Sequence, residues 1–241
     1  MHIFLFNKLT FSKGFRDGIP IALGYLSVAF AFGMLAIEKG FPFWSPVLIS
    51  FTSFTGTGQF AGIDLIASGA GFIEILCTLF IINARYTLMS LSLSQKLSSK
   101  ITLWQRLIIA FGNTDEIYAV SMQQNCLLNF RYLTGLIICS YSGWILGTIL
   151  GAFASNLLPA MIISALGIAL YAMFIAIIIP PAKEFPPIAK IILLSVLMSC
   201  LFRYVPMLNK VGSGWVIIIC GVVSSAIGAL LYPVKAVETQ E

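Results

Sequence analysis

The chain has 241 residues, of which 59% are hydrophobic and only 10% charged, and its mean hydropathy is +0.98. Soluble domains carry about 25% charged residues, so these values exclude an ordinary soluble core and point to an all-α polytopic membrane protein, one transmembrane domain over residues 1–241. The net charge of +5 comes from lysines and arginines scattered singly between apolar runs, which argues against a nucleic-acid surface.

Residues 1–18 are evenly basic and too short for a cleaved signal. Phe4, Phe6, Phe11 and Phe15 beside Lys8, Lys13 and Arg16 suit a cytoplasmic, interfacial segment. Ile19–Ile37 reads as the first span, bounded by Arg16-Asp17 and Glu38-Lys39. Two short pieces follow, Trp44–Phe54 and Gln59–Ser68, joined by Thr55-Gly56-Thr57-Gly58. Neither crosses a bilayer alone. Phe72–Ser94 is the next span, and Leu107–Gln123 carries Asn113-Thr114-Asp115-Glu116 in its middle. Tyr132–Phe153, Met161–Ile179, Ile188–Tyr204 and Trp215–Tyr232 complete the apolar runs, the last three each followed closely by proline. About seven membrane segments are expected, some broken or re-entrant. Polar interruptions in both halves hint at an inverted structural repeat.

Charge bias constrains the path. Lys8, Lys13 and Arg16 place the N-terminus inside, and Lys96, Lys100 and Arg106 place the loop after Phe72–Ser94 inside as well. An even number of crossings must join them, so the 44–68 segment crosses twice or not at all. Pieces of about ten residues cannot each cross about 30 Å at 1.5 Å per residue, which favours a hairpin of half-helices. Whether 107–123 crosses stays open at this level, and with it the side of the C-terminus.

Irregular polar chain at membrane depth is tolerated only beside protein or a water-filled cavity, and such breaks mark substrate sites in transporters. Thr55, Gly56, Thr57, Gly58, Gln59, Phe60 and Asn83 are therefore the candidate binding residues. Glycines let a ligand approach the backbone, and the start of the following half-helix offers free N–H groups to a carboxylate. In Phe72–Ser94, Asn83, Thr87, Ser90 and Ser94 form one polar stripe, and Glu74, Thr78, Arg85 and Ser92 another. A helix polar on two sides is expected at the centre of its bundle. Arg85 lies at mid-depth, where a charge normally pairs or marks a pathway, and Asp115 and Glu116 share that depth as ion-pair or proton-coupling partners. Glu74 and Asp64 are expected to be shallower and solvated, and Arg203 to snorkel to the interface. Five dispersed cysteines, no CxxC pair and one histidine at position 2 argue against a metal or redox site, and no cofactor is expected.

Taken together, Phe15-Arg16-Asp17-Gly18-Ile19-Pro20, Phe54-Thr55-Gly56-Thr57-Gly58-Gln59-Phe60, Asn83-Ala84-Arg85-Tyr86, Thr114-Asp115-Glu116 and Ala172-Met173-Phe174-Ile175-Ala176 resemble the AzlC-type branched-chain amino acid permease family. The motifs occur in the family's order over nearly the whole chain. The resemblance implies the large subunit of a two-component exporter in the bacterial cytoplasmic membrane, a secondary transporter of branched-chain or other hydrophobic amino acids. It also implies a small four-span AzlD-type membrane subunit, with a dimer of such pairs as one assembly. The rival readings are an ion or small-solute channel, for which no repeated filter is visible, and a structural subunit of a membrane complex. An intramembrane enzyme is disfavoured by the lack of HExxH, GxSxG or a nucleophile–base pair.

Overall fold

The computed structural model describes residues 9–155 and 182–232, together with Ile175, Ile178 and Ile179. Met161–Ile179 therefore lies largely outside the described residues, as do most of the expected motif at 172–176 and residues 1–8 of the expected interfacial segment at 1–18. Among the described residues there are nine helices and no strand: α1 Phe11–Glu38, α2 Trp44–Thr52, α3 Gly56–Ala67, α4 Phe72–Gln95, α5 Leu103–Phe111, α6 Asp115–Met122, α7 Phe130–Ala154, α8 Pro186–Tyr204 and α9 Ser213–Leu231. Five of them, α1, α4, α7, α8 and α9, are long and apolar enough to cross a membrane. The fold is all-α and multi-pass.

The chain packs as two compact units. The first, residues 1–63 and 83–169, is organised around α1 and α7. A Cβ at Gly14 of α1 would strike the Tyr132 backbone of α7, and Gly18 stands against Leu136 and Cys139. Further along, Gly143, Gly147 and Gly151 of α7 abut the backbone at Ala22, Leu26 and Phe30. Residue numbers rise together on both helices, so α1 and α7 run parallel, their backbones in direct contact through glycine as in other membrane helix pairs. The first helix begins eight residues before the expected span because Thr10 caps it, accepting from Lys13 N–H at 3.2 Å. Its basic and acidic residues find partners there: Lys13 Nζ reaches Gln124 at 3.0 Å, and Tyr132 donates to Asp17 at 2.8 Å.

That end of the unit also holds the C-terminus of α4 and the start of α7. Ser98 N–H donates to the Leu128 carbonyl at 2.9 Å, Leu128 N–H to the Lys96 carbonyl at 2.8 Å, and Lys96 Nζ to the Met122 carbonyl at 2.6 Å. Lys13, Lys96 and Arg131 thus share one end of this unit, the end that the charge bias of the sequence expects inside. The 103–122 segment leaves this end and returns to it. At 1.5 Å per residue, α5 and α6 are only about 13 and 12 Å long, so the run 107–123 is a re-entrant pair and not a crossing. A capping box of Thr102 and Gln105 starts α5. Gly112 ends it, and Thr114 caps α6.

The α2–α3 segment is broken as well. Phe54 packs edge-on against Tyr25 at 5.6 Å, whereas Phe60 packs on Phe32 at 5.3 Å, two turns nearer the C-terminus of α1. From the break, α3 therefore runs back toward the end from which α2 came. A long helix followed by a broken hairpin occurs twice, as α1 with α2–α3 and as α4 with α5–α6. The second long helix runs opposite to the first, the inverted arrangement that the two polar interruptions suggest. The buried core of this unit, including Tyr25, Phe54, Ile109, Ile117, Leu136 and Trp144, lies where the hairpins meet α1 and α7.

The second unit comprises residues 64–82 and 170–241. In it α8 and α9 are antiparallel, with Ile191 against Gly228 and Met198 against Ser224. Glu74 is not solvated as expected. Its carboxylate accepts from the amides of Gly214 (2.9 Å) and Trp215 (3.4 Å), capping α9, which has no capping side chain of its own. Gly212 and Gly214 leave it the space. The expectation that α4 is enclosed on all sides also fails within this chain: only Thr78 and Leu93 of α4 are buried. Of its polar groups, Glu74 meets the head of α9, and Arg85, Ser90 and Ser92 meet Asp115, Asn113 and Tyr118 of the second hairpin.

Candidate functional site

Both breaks in the first unit converge on Tyr25. Its ring lies edge-on to Phe54 at 5.6 Å and to Trp144 at 5.4 Å, on the side of the first break. Its hydroxyl reaches the second break, where it meets Thr114 Oγ1 at 2.6 Å and donates to the Glu116 carboxylate. The site is thus two half-helix N-termini, those of α3 and α6, with one tyrosine between them. Periodicity could not single out this residue, because Tyr25 sits in an apolar run that reads as ordinary span.

The first break is narrower than its glycines suggest. Irregular chain covers only Ser53–Thr55. Gly56, Thr57, Gly58 and Gln59, expected as a turn, form the first turn of α3. The first internal bond runs from Gln59 N–H to the Thr55 carbonyl at 3.0 Å, which leaves the amides of Gly56, Thr57 and Gly58 at the helix head. Gln59 is buried and holds the break together. Its amide donates to the Ser53 carbonyl, and its oxygen takes Trp144 Nε1 at 3.2 Å and Ser50 Oγ at 3.4 Å. Ser50 in turn meets Thr148 of α7 at 2.8 Å. Phe60 is buried against Phe32 and backs this turn. Thr55 Oγ1 meets Ser53 Oγ at 3.2 Å. A Cβ on Gly58 would lie 2.5 Å from Thr55 Oγ1 and 3.1–3.2 Å from the Asn83 amide, so the glycine keeps these groups close. Asn83 Oδ1 is buried without a hydrogen-bond partner. An unmet buried acceptor beside a helix head is costly unless something donates to it.

The second break carries the charge. Arg85 Nη1 and Asp115 Oδ2 are 2.6 Å apart, with side-chain exposures of 41% and 37%. The guanidinium also lies over the Tyr86 ring at 4.8 Å. Asn113 Nδ2 donates to Ser90 at 3.1 Å, and Ser92 meets Tyr118 at 2.8 Å. Both polar stripes of α4 therefore contact this hairpin, and Asn83 extends the first stripe to the other break. The heads of α3 and α6 differ in one respect that matters chemically. The first turn of α3 holds no acid, while that of α6 holds Asp115 and Glu116. A helix head attracts negative charge, and the first turn of α6 supplies its own while that of α3 has none. Among the described residues no group of histidine, cysteine and acid could hold a metal.

The AzlC protein family model matches residues 20–158, which include both breaks. An uncharacterized membrane protein of Archaeoglobus fulgidus is 37% identical over 184 residues, covering 74% of this chain and 79% of that protein. The inner membrane protein YgaZ of Escherichia coli K12 is 31% identical, with 72% and 74% covered. The branched-chain amino acid transport protein AzlC of Bacillus subtilis 168 is 25% identical, with 58% and 56% covered. No solved structure matches. A family model spanning more than half of the chain, a relative above 30% identity over most of its length and five membrane-length helices give one conclusion: this multi-pass membrane protein belongs to the AzlC family.

Proposed function

We propose that the chain is a secondary transporter that exports branched-chain or other hydrophobic amino acids across the cytoplasmic membrane, as the large subunit of a complex with a small four-span AzlD-type subunit. Family membership and the printed name of the Bacillus subtilis relative support amino acid transport. The observation that carries the reading is the unequal pair of helix heads. The uncompensated head of α3 suits a carboxylate, taken by the amides of Gly56, Thr57 and Gly58 with the hydroxyls of Thr55 and Thr57 beside them. The free acceptor of Asn83 and the acids of α6 suit an ammonium group. A zwitterion bridges two such poles, whereas a simple cation or anion meets only one. Gln59 positions the cradle, and Phe60 contributes its apolar backing.

The test is counterflow of labelled leucine in proteoliposomes, with and without the small subunit. Leucine, isoleucine, valine and methionine should compete with graded strength, since a methylene in an apolar pocket is worth about 1–3 kcal/mol. Leucine amide should compete poorly, because it lacks the charge that α3 favours. Equal competition by leucine amide would remove the carboxylate cradle, and absence of leucine counterflow with both subunits present would remove the substrate.

A further inference from the structure

Asp115 and Glu116 are neighbours in the first turn of α6, yet their partners differ in kind. Asp115 is held by a cation, Arg85, at 2.6 Å. Glu116 is held by the neutral hydroxyl of Tyr25, which also meets the capping hydroxyl of Thr114 at 2.6 Å. Protonating Asp115 would strand the guanidinium at mid-membrane depth, a costly state. Protonating Glu116 strands no charge. Resting on the carrier reading above, we propose that the carrier is proton-coupled and that Glu116, linked through Tyr25 to Thr114, is the group that binds the coupled proton, while Asp115 is not.

The Glu116–Tyr25–Thr114 contacts persist in both states, and only the Thr114 hydroxyl proton gives up its acceptor when Glu116 is protonated. With Glu116 ionised, its carboxylate accepts the Tyr25 hydroxyl proton, and Tyr25 Oη accepts from the Thr114 hydroxyl. With one proton gained from water, Glu116 donates to Tyr25 Oη, and the Tyr25 hydroxyl turns to donate to Thr114 Oγ1. Thr114 Oγ1 still has a lone pair for Ile117 N–H, which it accepts at 3.4 Å. The heavy atoms stay in place and only the direction of the chain reverses.

Of the titratable and charged groups near Glu116, α1 brings Tyr25, α4 brings Tyr86 and the Arg85 paired with Asp115, Asp115 adjoins it on its own helix, and the one charge of α5 is Arg106 in its first turn. α7 brings Trp144 onto Tyr25 and Tyr141 onto Phe111 and has a single charge, Arg131, in its first turn. α2 has none, and α3 has only Asp64, two turns beyond its head. Coupling to the other break runs through aromatic rings. The Tyr25 ring touches Phe54 and Trp144, and Trp144 both donates to Gln59 and lies over Gly56. One residue, Trp144, separates Tyr25 from the proposed carboxylate cradle.

The test is pH-difference infrared spectroscopy of the full-length protein in lipid, which reads protonated carboxyl groups without any substrate. A carboxyl band that appears on acidification should vanish in Glu116→Gln and persist in Asp115→Asn. Tyr25→Phe removes a donor to the carboxylate and should displace the pH at which the band appears. In vesicles, an imposed pH gradient should drive net movement of labelled leucine by the wild-type protein and not by Glu116→Gln. A band that survives in Glu116→Gln, or disappears in Asp115→Asn instead, overturns the assignment. If Glu116→Gln does not fold, an unmoved midpoint in Tyr25→Phe overturns it and a displaced one supports it. A band that behaves as expected in a protein that moves no leucine would fault the substrate and leave the proton site standing.

Discussion

At the scale of single residues, Gly58 and Arg85 carry the sharpest consequences. A side chain at Gly58 meets the tips of Thr55 and Asn83 and not a backbone, so the helix around it can persist while the cradle fills. Gly58→Leu should therefore abolish leucine counterflow and leave membrane insertion and assembly intact, as read by vesicle flux and by size-exclusion profile. Arg85→Gln removes the cation from Asp115 and leaves a carboxylate at mid-depth, whereas Arg203 sits exposed in the last turn of α8. Arg85→Gln should cost far more transport than Arg203→Gln. Neutralising Asp115 as well should recover part of the loss, because the unpaired charge then disappears. A double variant no better than Arg85→Gln would show that the 2.6 Å contact contributes nothing. Asn83 Oδ1 and Arg85 were visible as polar residues in an apolar span, but nothing local distinguishes Asp115 from Glu116. Their partners lie 30 and 91 positions away in the chain.

At the scale of elements, the parallel contact of α1 and α7 holds the first unit together. Gly143→Leu or Gly147→Leu drives a side chain into the backbone of α1. Overpacking of this kind costs about 1–3 kcal/mol even in yielding cores, and more where the obstacle is main chain. These variants should lose folded yield and thermal stability in detergent. Gly24→Leu, with open space around its Cβ position, should not. The glycines of α7 are spaced at four-residue intervals in the sequence from 143 to 151, so a close helix contact was legible. Its partner and direction were not, since glycine spacing is the same for parallel and antiparallel crossings. Glu74 is a second case at this scale. Its removal from the head of α9 by Glu74→Gln should cost about 1 kcal/mol, the usual worth of a cap, measured as a lowered unfolding temperature.

At the scale of the molecule, the two re-entrant hairpins make a topological prediction. Positions 41 and 70 should be labelled from the outer face, and positions 100 and 125 from the cytoplasmic face, by an impermeant thiol reagent on single-cysteine variants. Native Cys126 is exposed and should react from the cytoplasmic side, while Cys139 and Cys220 are buried and should not react at all. Positions 41 and 70 on opposite faces would mean that α2–α3 crosses the membrane, and the inverted arrangement would fall with it.

The amino-acid sequence by itself determined the solvent of this protein, its five described long helices to within a few residues at most ends, the existence of both breaks and the residues from which a mid-depth ion pair had to be drawn. These are local properties: hydropathy sums over neighbours, glycine and the N-capping residues act within a turn, and an apolar run cannot hide a charge. Only the tertiary structure decided that 103–122 turns back, that α1 and α7 run parallel, that Glu74 caps a helix 140 positions away, and that Tyr25 stands between the two breaks. Direction and rotation of a helix are set by which side chains interlock across distant segments, here backbone against glycine from Gly14 to Gly151. A tyrosine hydroxyl in an apolar run has no meaning until that interlocking places Thr114 and Glu116 beside it.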